Sequence, residues 1–295
     1  MTALRALLAG IVDYAGLFPP AALDMTAAVR HYSQYRASDD AWMLGRFVVP
    51  VARLGELSAA LANVDIATGE WHLSALVGAN PADDIQRVED FDAAHRGRAV
   101  VDSLEGKASD AAAIERIASL HRGDRAFFIE LSIADDPSPL IAAIARGGLH
   151  AKVRTGGTTS DAFPSATAVA RFMRACVAAN VAFKATAGLH HPVRGSYRLT
   201  YAPDAPLDTM FGFMNVFLAA AAVARGVPES DAIALLEEID PGAFTITPDA
   251  IAWREHRFGA DELRAMRANV ALSFGSCSFR EPVDDLRALS LSATA

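Results

Sequence analysis

The sequence predicts an α/β protein folded as a TIM-type (β/α)8 barrel with an extra helical segment at its N-terminus. Three observations carry this expectation. Eight short apolar runs alternate with amphipathic stretches of helical period. The 295 residues, 52% hydrophobic and 21% charged, can bury one large core. No Pro/Gly/Ser-rich linker, repeat or low-complexity tract divides the chain, so residues 1–295 read as one domain.

The elements follow in order. Residues 1–45 read as a helical extension packed on the barrel. Within it, Asp13-Tyr14-Ala15-Gly16-Leu17-Phe18-Pro19-Pro20 is an apolar arm stiffened by prolines. The arm either lies over a barrel mouth or packs against a barrel end. Strand one is residues 46–50 (RFVVP), followed by a helix over 53–62 with Leu54, Leu57 and Leu61 on one face. Strand two is 71–77, and Pro81 opens the next helix at its first turn. Strand three is 99–104 (AVVDSL), with a helix over 109–121. Strand four is 126–132 (AFFIELS), with a helix over 137–146 stopped by Gly147-Gly148.

Strand five is 149–154 (LHAKVR), and Gly156-Gly157 leads into a helix over 164–179. Strand six is 181–186 (VAFKAT). A long connection over 187–206, rich in His, Pro, Gly and Tyr, reads as a lid. Helices are expected over 207–226 and 229–239. The apolar stretch 210–224 reads as either a core helix or an oligomer interface, which leaves homo-oligomerisation open. Strand seven is 243–247 (AFTIT), strand eight is 270–274 (VALSF), and a last helix starts near Pro282.

Charge and targeting signals narrow the function classes. The net charge of −8 disfavours nucleic acid or an anionic membrane as partner. The 210–224 stretch is short for a membrane span, and residues 1–16 lack the regions of a signal peptide. Cys176 and Cys277 alone cannot form a disulfide framework. A cytoplasmic protein is expected.

Among 27 basic residues only Lys107, Lys152 and Lys184 are lysines. Such a chain uses Arg wherever surface charge suffices, so a retained lysine suggests a position where a neutral amine is required. All three fall near C-terminal strand ends, where barrel enzymes place their chemistry. Period-two geometry sets Lys152 with Arg154, and Lys184 with Thr186, on one strand face each. Glu130, Asp102 and Glu105 add carboxylates on neighbouring strands. An amine attacks a carbonyl only when deprotonated, and Lys152 and Arg154 are placed to depress the Lys184 pKa. Glu130, Asp102 or Glu105 would then move protons. Arg154 would grip an anionic group, with Lys107 nearby.

Phe183-Lys184-Ala185-Thr186-Ala187-Gly188 resembles the Schiff-base strand of class I aldolases of the deoxyribose-phosphate aldolase type. Ala151-Lys152-Val153, with Thr155-Gly156, is similar to the preceding strand of those enzymes, which carries a second lysine. The resemblance covers residues 149–188. It implies a carbon–carbon lyase that forms a Schiff base through Lys184 with a small anionic carbonyl substrate and needs no cofactor. The family carries a further lysine on strand seven, whereas this chain has none after Lys184.

Two alternatives come from the remaining residues. His190 or His191, just past strand six, could join acidic residues in a divalent-metal hydrolase or isomerase, although no H-E-x-x-H spacing is present. A non-catalytic barrel could bind a small anion through Lys152, Arg154 and Lys184. Gly275-Ser276-Cys277-Ser278 is either an anion-cradling turn, with Ser276 as a substrate contact, or a plain turn. Cys277 reads as either a nucleophile, for which the sequence shows no obvious partner, or a small buried thiol, and the buried thiol is the reading preferred.

Overall fold

A computed structural model describes residues 1–64 and 69–292. Eight parallel strands close into a barrel: β1 (Val12–Tyr14), β2 (Leu44–Pro50), β3 (Trp71–Leu76), β4 (Ala99–Lys107), β5 (Ala126–Glu130), β6 (His150–Arg154), β7 (Phe183–Thr186) and β13 (Ala271–Ser276). The helices between them are α2 (Met25–Arg36), α3 (Leu54–Leu61), α4 (Pro81–Ala94), α5 (Ala111–Leu120), α6 (Ser138–Arg146), α7 (Ala166–Ala178), then α8 (Phe213–Ala224), α9 (Glu229–Glu237) and α10 (Ala260–Asn269). α1 (Ala3–Leu8) precedes the barrel and α11 (Arg280–Ser292) follows it. This is the expected (β/α)8 architecture.

Two elements differ from the sequence reading. Residues 1–45 are largely helical, yet they also supply β1, which pairs with β13 on one side and β2 on the other. The N-terminal segment is thus part of the barrel wall. β1 is only three residues long and buried throughout, so it shows no alternation to detect. Conversely, residues 244–246 form a strand outside the barrel. β10 (Phe244–Ile246), β11 (Ala250–Trp253) and β12 (His256–Gly259) make an antiparallel meander packed against α1 and α10. Its short strands and tight turns carry the same local apolar pattern as a barrel strand, and only pairing distinguishes them. One strand gained and one lost preserve the count of eight, but Lys184 stands on the seventh barrel strand.

The long connection after β7 is structured. β8 (Gly195–Arg198) and β9 (Leu207–Met210) form a hairpin. Asn215, buried in α8, anchors it. Its Oδ1 accepts from Arg194 N at 2.9 Å, while Nδ2 donates to the carbonyls of Leu235 and Glu238 at 2.8 Å each. Residues 213–223 of α8 are all buried within this one chain, so the stretch is a core helix. Among the described residues, no helix is long and apolar enough to cross a membrane.

The shortness of β1 leaves few ladder bonds to hold it, and Arg267 of α10 supplies others. Its guanidinium donates to the carbonyls of Leu7, Ala9, Ala271 and Leu272, tying the chain just before β1 to the start of β13. Replacing it leaves several carbonyls without a donor. Arg267→Met is expected to cost about 2–4 kcal/mol, read as a lower denaturant midpoint. Arg267→Lys should recover less than half, because an ammonium cannot span four acceptors as a planar fork does.

Candidate functional site

Barrel register sets the site. Cross-strand partners run Lys107↔Glu130, Glu130↔Lys152 and Lys152↔Lys184 along β4, β5, β6 and β7. Four adjacent strands therefore carry charged side chains at one level near their C-terminal ends. Parallel strands that face helices outside and the core inside alternate sharply here. Ala151, Val153, Phe183 and Ala185 are buried neighbours of these charges.

Two lysines side by side repel each other, and Glu105 of β4 resolves this by bridging them. Its Oε1 lies 2.7 Å from Lys184 Nζ and its Oε2 lies 2.7 Å from Lys152 Nζ. Lys152 also meets Glu130 at 2.9 Å, and Glu130 meets Lys107 at 3.1 Å. Ser74 Oγ donates to Glu105 at 2.6 Å. The second partner of Lys184 is Asp13 of β1, at 2.6 Å. Ser273 Oγ (2.7 Å) and the Arg46 backbone N–H (2.9 Å) also donate to that carboxylate. Gly45 makes room for it, since a Cβ there would stand 2.5 Å from Asp13 Oδ1. Lys184 and Asp13 are each about 1% exposed at the side chain, and the Lys184 ammonium rests 5.3 Å from the centre of the Phe128 ring.

The electrostatics follow from these contacts. Burial would raise the Glu105 carboxyl, but Lys184 and Lys152 override it and hold the group well below the usual range. Burial likewise opposes ionisation of Glu130, and Lys152 and Lys107 bring it down. Burial would lower Lys152, yet Glu105 and Glu130 raise it above its ordinary value. Glu105 thus stands between the Lys152 and Lys184 amines, and Asp13 adds a further negative charge beside Lys184.

The cluster forms the floor of a cavity of about 590 Å³ at the barrel mouth, a size suited to a small molecule. One wall is the N-terminal arm, where Ala15, Phe18, Pro19 and Pro20 face the cavity. The β8–β9 hairpin also lines it, through Tyr197, Arg198 and Met210. The loops after β6 and β7 touch: a Cβ on Gly156 would come within 2.9 Å of Gly188 Cα. Thr155 Oγ1 donates to the Ala187 carbonyl at 2.6 Å and closes the same contact. Gly156 thus serves a backbone crossing.

A second polar cluster lies at the rim. His190 Nδ1 contacts Glu281 at 2.9 Å, and His191 Nδ1 contacts Asp285 at 2.5 Å. The His191 ring stacks on Tyr197, with centroids 3.5 Å apart. Tyr201 OH lies 2.8 Å from Glu281 and 3.5 Å from Cys277 Sγ.

Most of the anticipated site residues converge. Lys107, Glu105, Glu130, Lys152, Arg154, Lys184, Thr186, His190 and His191 all line this cavity. Two do not. Asp102 points the other way on β4 and pairs with Arg46 (2.6 Å) and His72 (3.0 Å) on the outer surface. A bulge between Leu73 and Ser74 shifts the β3–β4 register, so strand alternation alone does not show which of Asp102 and Glu105 faces inward. Ser276 is buried beneath the turn, and its Oγ accepts from Ser278 N at 3.4 Å. Asp13, Ser74, Ser273, Tyr201 and Glu281 were not anticipated. Asp13 carried one signal, a lone carboxylate inside an apolar arm. Among the described residues, no three His, Cys, Asp or Glu side chains converge as a metal ligand set.

No family model matches the chain, and no curated protein matches it. Fold and site define it as a (β/α)8 barrel with a lysine–carboxylate centre in its C-terminal mouth, on an architecture common among enzymes.

The depressed carboxyls give a sign for acid stability. Glu105 and Glu130 sit below their ordinary 4.5 in the folded state, so the unfolded chain binds more protons in acid. Their stabilisation is fully present above about pH 4.5 and is lost as the pH falls below it. Lys152, raised above 10.5, behaves oppositely: its contribution is intact below that pH and is lost above it. Thermal midpoints taken from pH 7 to pH 3 should therefore drop on the acid side. The drop should be smaller in Glu130→Gln, which no longer titrates at that position.

Proposed function

We propose that the chain is a Schiff-base-forming lyase that acts on a small anionic carbonyl compound through Lys184. The observation that carries this reading is the Lys184 amine itself. It is buried, reaches the cavity, and stands within 2.7 Å of both Asp13 and Glu105. Those carboxylates stabilise a positive charge at Nζ, and an iminium carries its charge on that same nitrogen. The overall step is ammonium plus carbonyl giving iminium plus water. One positive charge at Nζ becomes one positive charge on the same nitrogen, so the field of the site is unchanged.

The protons have short routes. Lys184 passes one to Asp13 or Glu105, and the free amine adds to the carbonyl carbon. The resulting carbinolamine takes that proton back on its hydroxyl and loses water. The iminium then draws electrons from the adjacent carbon, which supports C–C cleavage or removal of an α-proton. Glu130, linked through Lys152, is a further proton acceptor. The lysine supplies the electron sink, so the chemistry calls for no organic cofactor.

An anionic substrate fits the lining. Five Lys or Arg side chains face the cavity against three Glu, and Arg154 stands exposed at its edge. A guanidinium there can take a carboxylate or phosphate in bidentate fashion.

Borohydride reduction with a panel of aldehydes and keto acids, followed by peptide mapping, tests the reading. A stable adduct on Lys184, absent in Lys184→Met, is the expected result. Absence of an adduct with every carbonyl compound, or adducts only elsewhere, rejects it and leaves the anion-binding barrel. For a substrate found in this way, Arg154→Ala should raise KM about 10–100-fold with a smaller change in kcat.

A further inference from the structure

The cluster at the cavity rim contains a sulfur that the lysine chemistry does not use. Cys277 follows β13 at the barrel mouth and lines the same cavity. His190, Tyr201 and Glu281 line that cavity with it, and the His190 ring and the Ala21 backbone act on the sulfur in the sense that favours a thiolate. The Tyr201 hydroxyl lies 3.5 Å from the sulfur and 2.8 Å from Glu281, so its single proton can serve either. His190 is itself oriented. Its Nδ1 is held by Glu281 at 2.9 Å, which leaves the other ring nitrogen for the thiol. A thiol is a weak acceptor, whereas a thiolate accepts two or three such bonds well.

We propose that Cys277 is a second nucleophile of this cavity, held by His190 and Glu281 as a Cys–His–Glu relay and directed at the carbonyl carbon of a small aldehyde.

The charges facing the relay favour this state. Burial would push the Cys277 thiol up, but contact with His190 brings it below its ordinary value. Burial would depress His190, yet Cys277 and Glu281 raise it to about 9. Burial likewise opposes the ionisation of Glu281, and His190 holds it down. Tyr14 of β1 is a titratable neighbour of the sulfur, and His191, paired with Asp285 of α11, is the neighbour of His190. The other cysteine is a contrast within the same molecule. Cys176 is fully buried in α7, and burial alone pushes its thiol far up.

The step balances without a co-reactant. The Cys277 thiolate forms a C–S bond to the carbonyl carbon as the C=O π pair moves to oxygen. The His190 imidazolium gives its proton to that oxygen. The product is a hemithioacetal and a neutral imidazole, and the reverse reaction restores both partners. Schiff-base formation at Lys184 is not required for it.

Alkylation by iodoacetamide, read by peptide mapping across pH 5 to 10, tests the site. Cys277 should react in the native protein and Cys176 should not. The rate should persist well below the pH range of a free thiol. His190→Gln should lower the rate at pH 6 by about tenfold or more, and Glu281→Gln should lower it severalfold, which keeps the test open if the first variant does not fold. Glycolaldehyde and glyoxylate should slow alkylation in the wild type and in Lys184→Met alike. A Cys277 as inert as Cys176 overturns the proposal, and so does a pH profile unmoved by both variants. Aldehyde protection that vanishes in a Lys184→Met protein whose buried Cys176 stays unalkylated also overturns it, by assigning carbonyl binding to Lys184 alone.

Discussion

The interaction on which this structure depends is the burial of the Lys184 ammonium between Asp13 and Glu105. An isolated charge at that depth would be too costly to keep, and the group would shed its proton instead. Two carboxylates within 2.7 Å make the charge tolerable. Their own remaining lone pairs are met by Ser74, Ser273 and the Arg46 N–H. Because Asp13 is on β1, Glu105 on β4 and Lys184 on β7, one polar knot spans the barrel interior. Removing any one member leaves the others buried and uncompensated, so the knot is a constraint on how the barrel closes as well as a candidate chemical centre.

The walls of the cavity follow from that closure. β1 sits between β13 and β2, so the arm that follows it must leave across the mouth, and Phe18, Pro19 and Pro20 form one wall. The β8–β9 hairpin, which also lines the cavity, is fixed by Asn215 rather than left as a free loop. The two polar clusters thus share one space with different electrostatics. The floor pairs ammonium groups with carboxylates, whereas the rim sets a sulfur and an imidazole against Glu281.

Much of the site was legible in the sequence because strand alternation is a local property. Lys152, Arg154, Lys184 and Thr186 share an inward face by period alone, and their convergence needed only the barrel topology. Glu105 and Asp102 could not be ordered in the same way, because the bulge beside Ser74 shifts the register by an amount no local pattern records. Asp13 was visible as an oddity, but its partner lies 171 residues away. Cys277 read as a packing thiol because His190 and Tyr201 belong to the long connection after β7. Such contacts depend on how that connection folds back.

The sequence by itself determined the alternation of strands and helices, the placement of three scarce lysines near strand ends and the inward face that two of them share. Each of these depends on neighbours within a few residues, where period and propensity act. Tertiary structure alone decided that residues 12–14 close the barrel and residues 244–246 do not, that Glu105 rather than Asp102 faces the lysines, and that Asp13 completes the knot. Those outcomes are settled by pairing partners and by charge compensation between segments far apart in the chain. A local pattern holds no record of either.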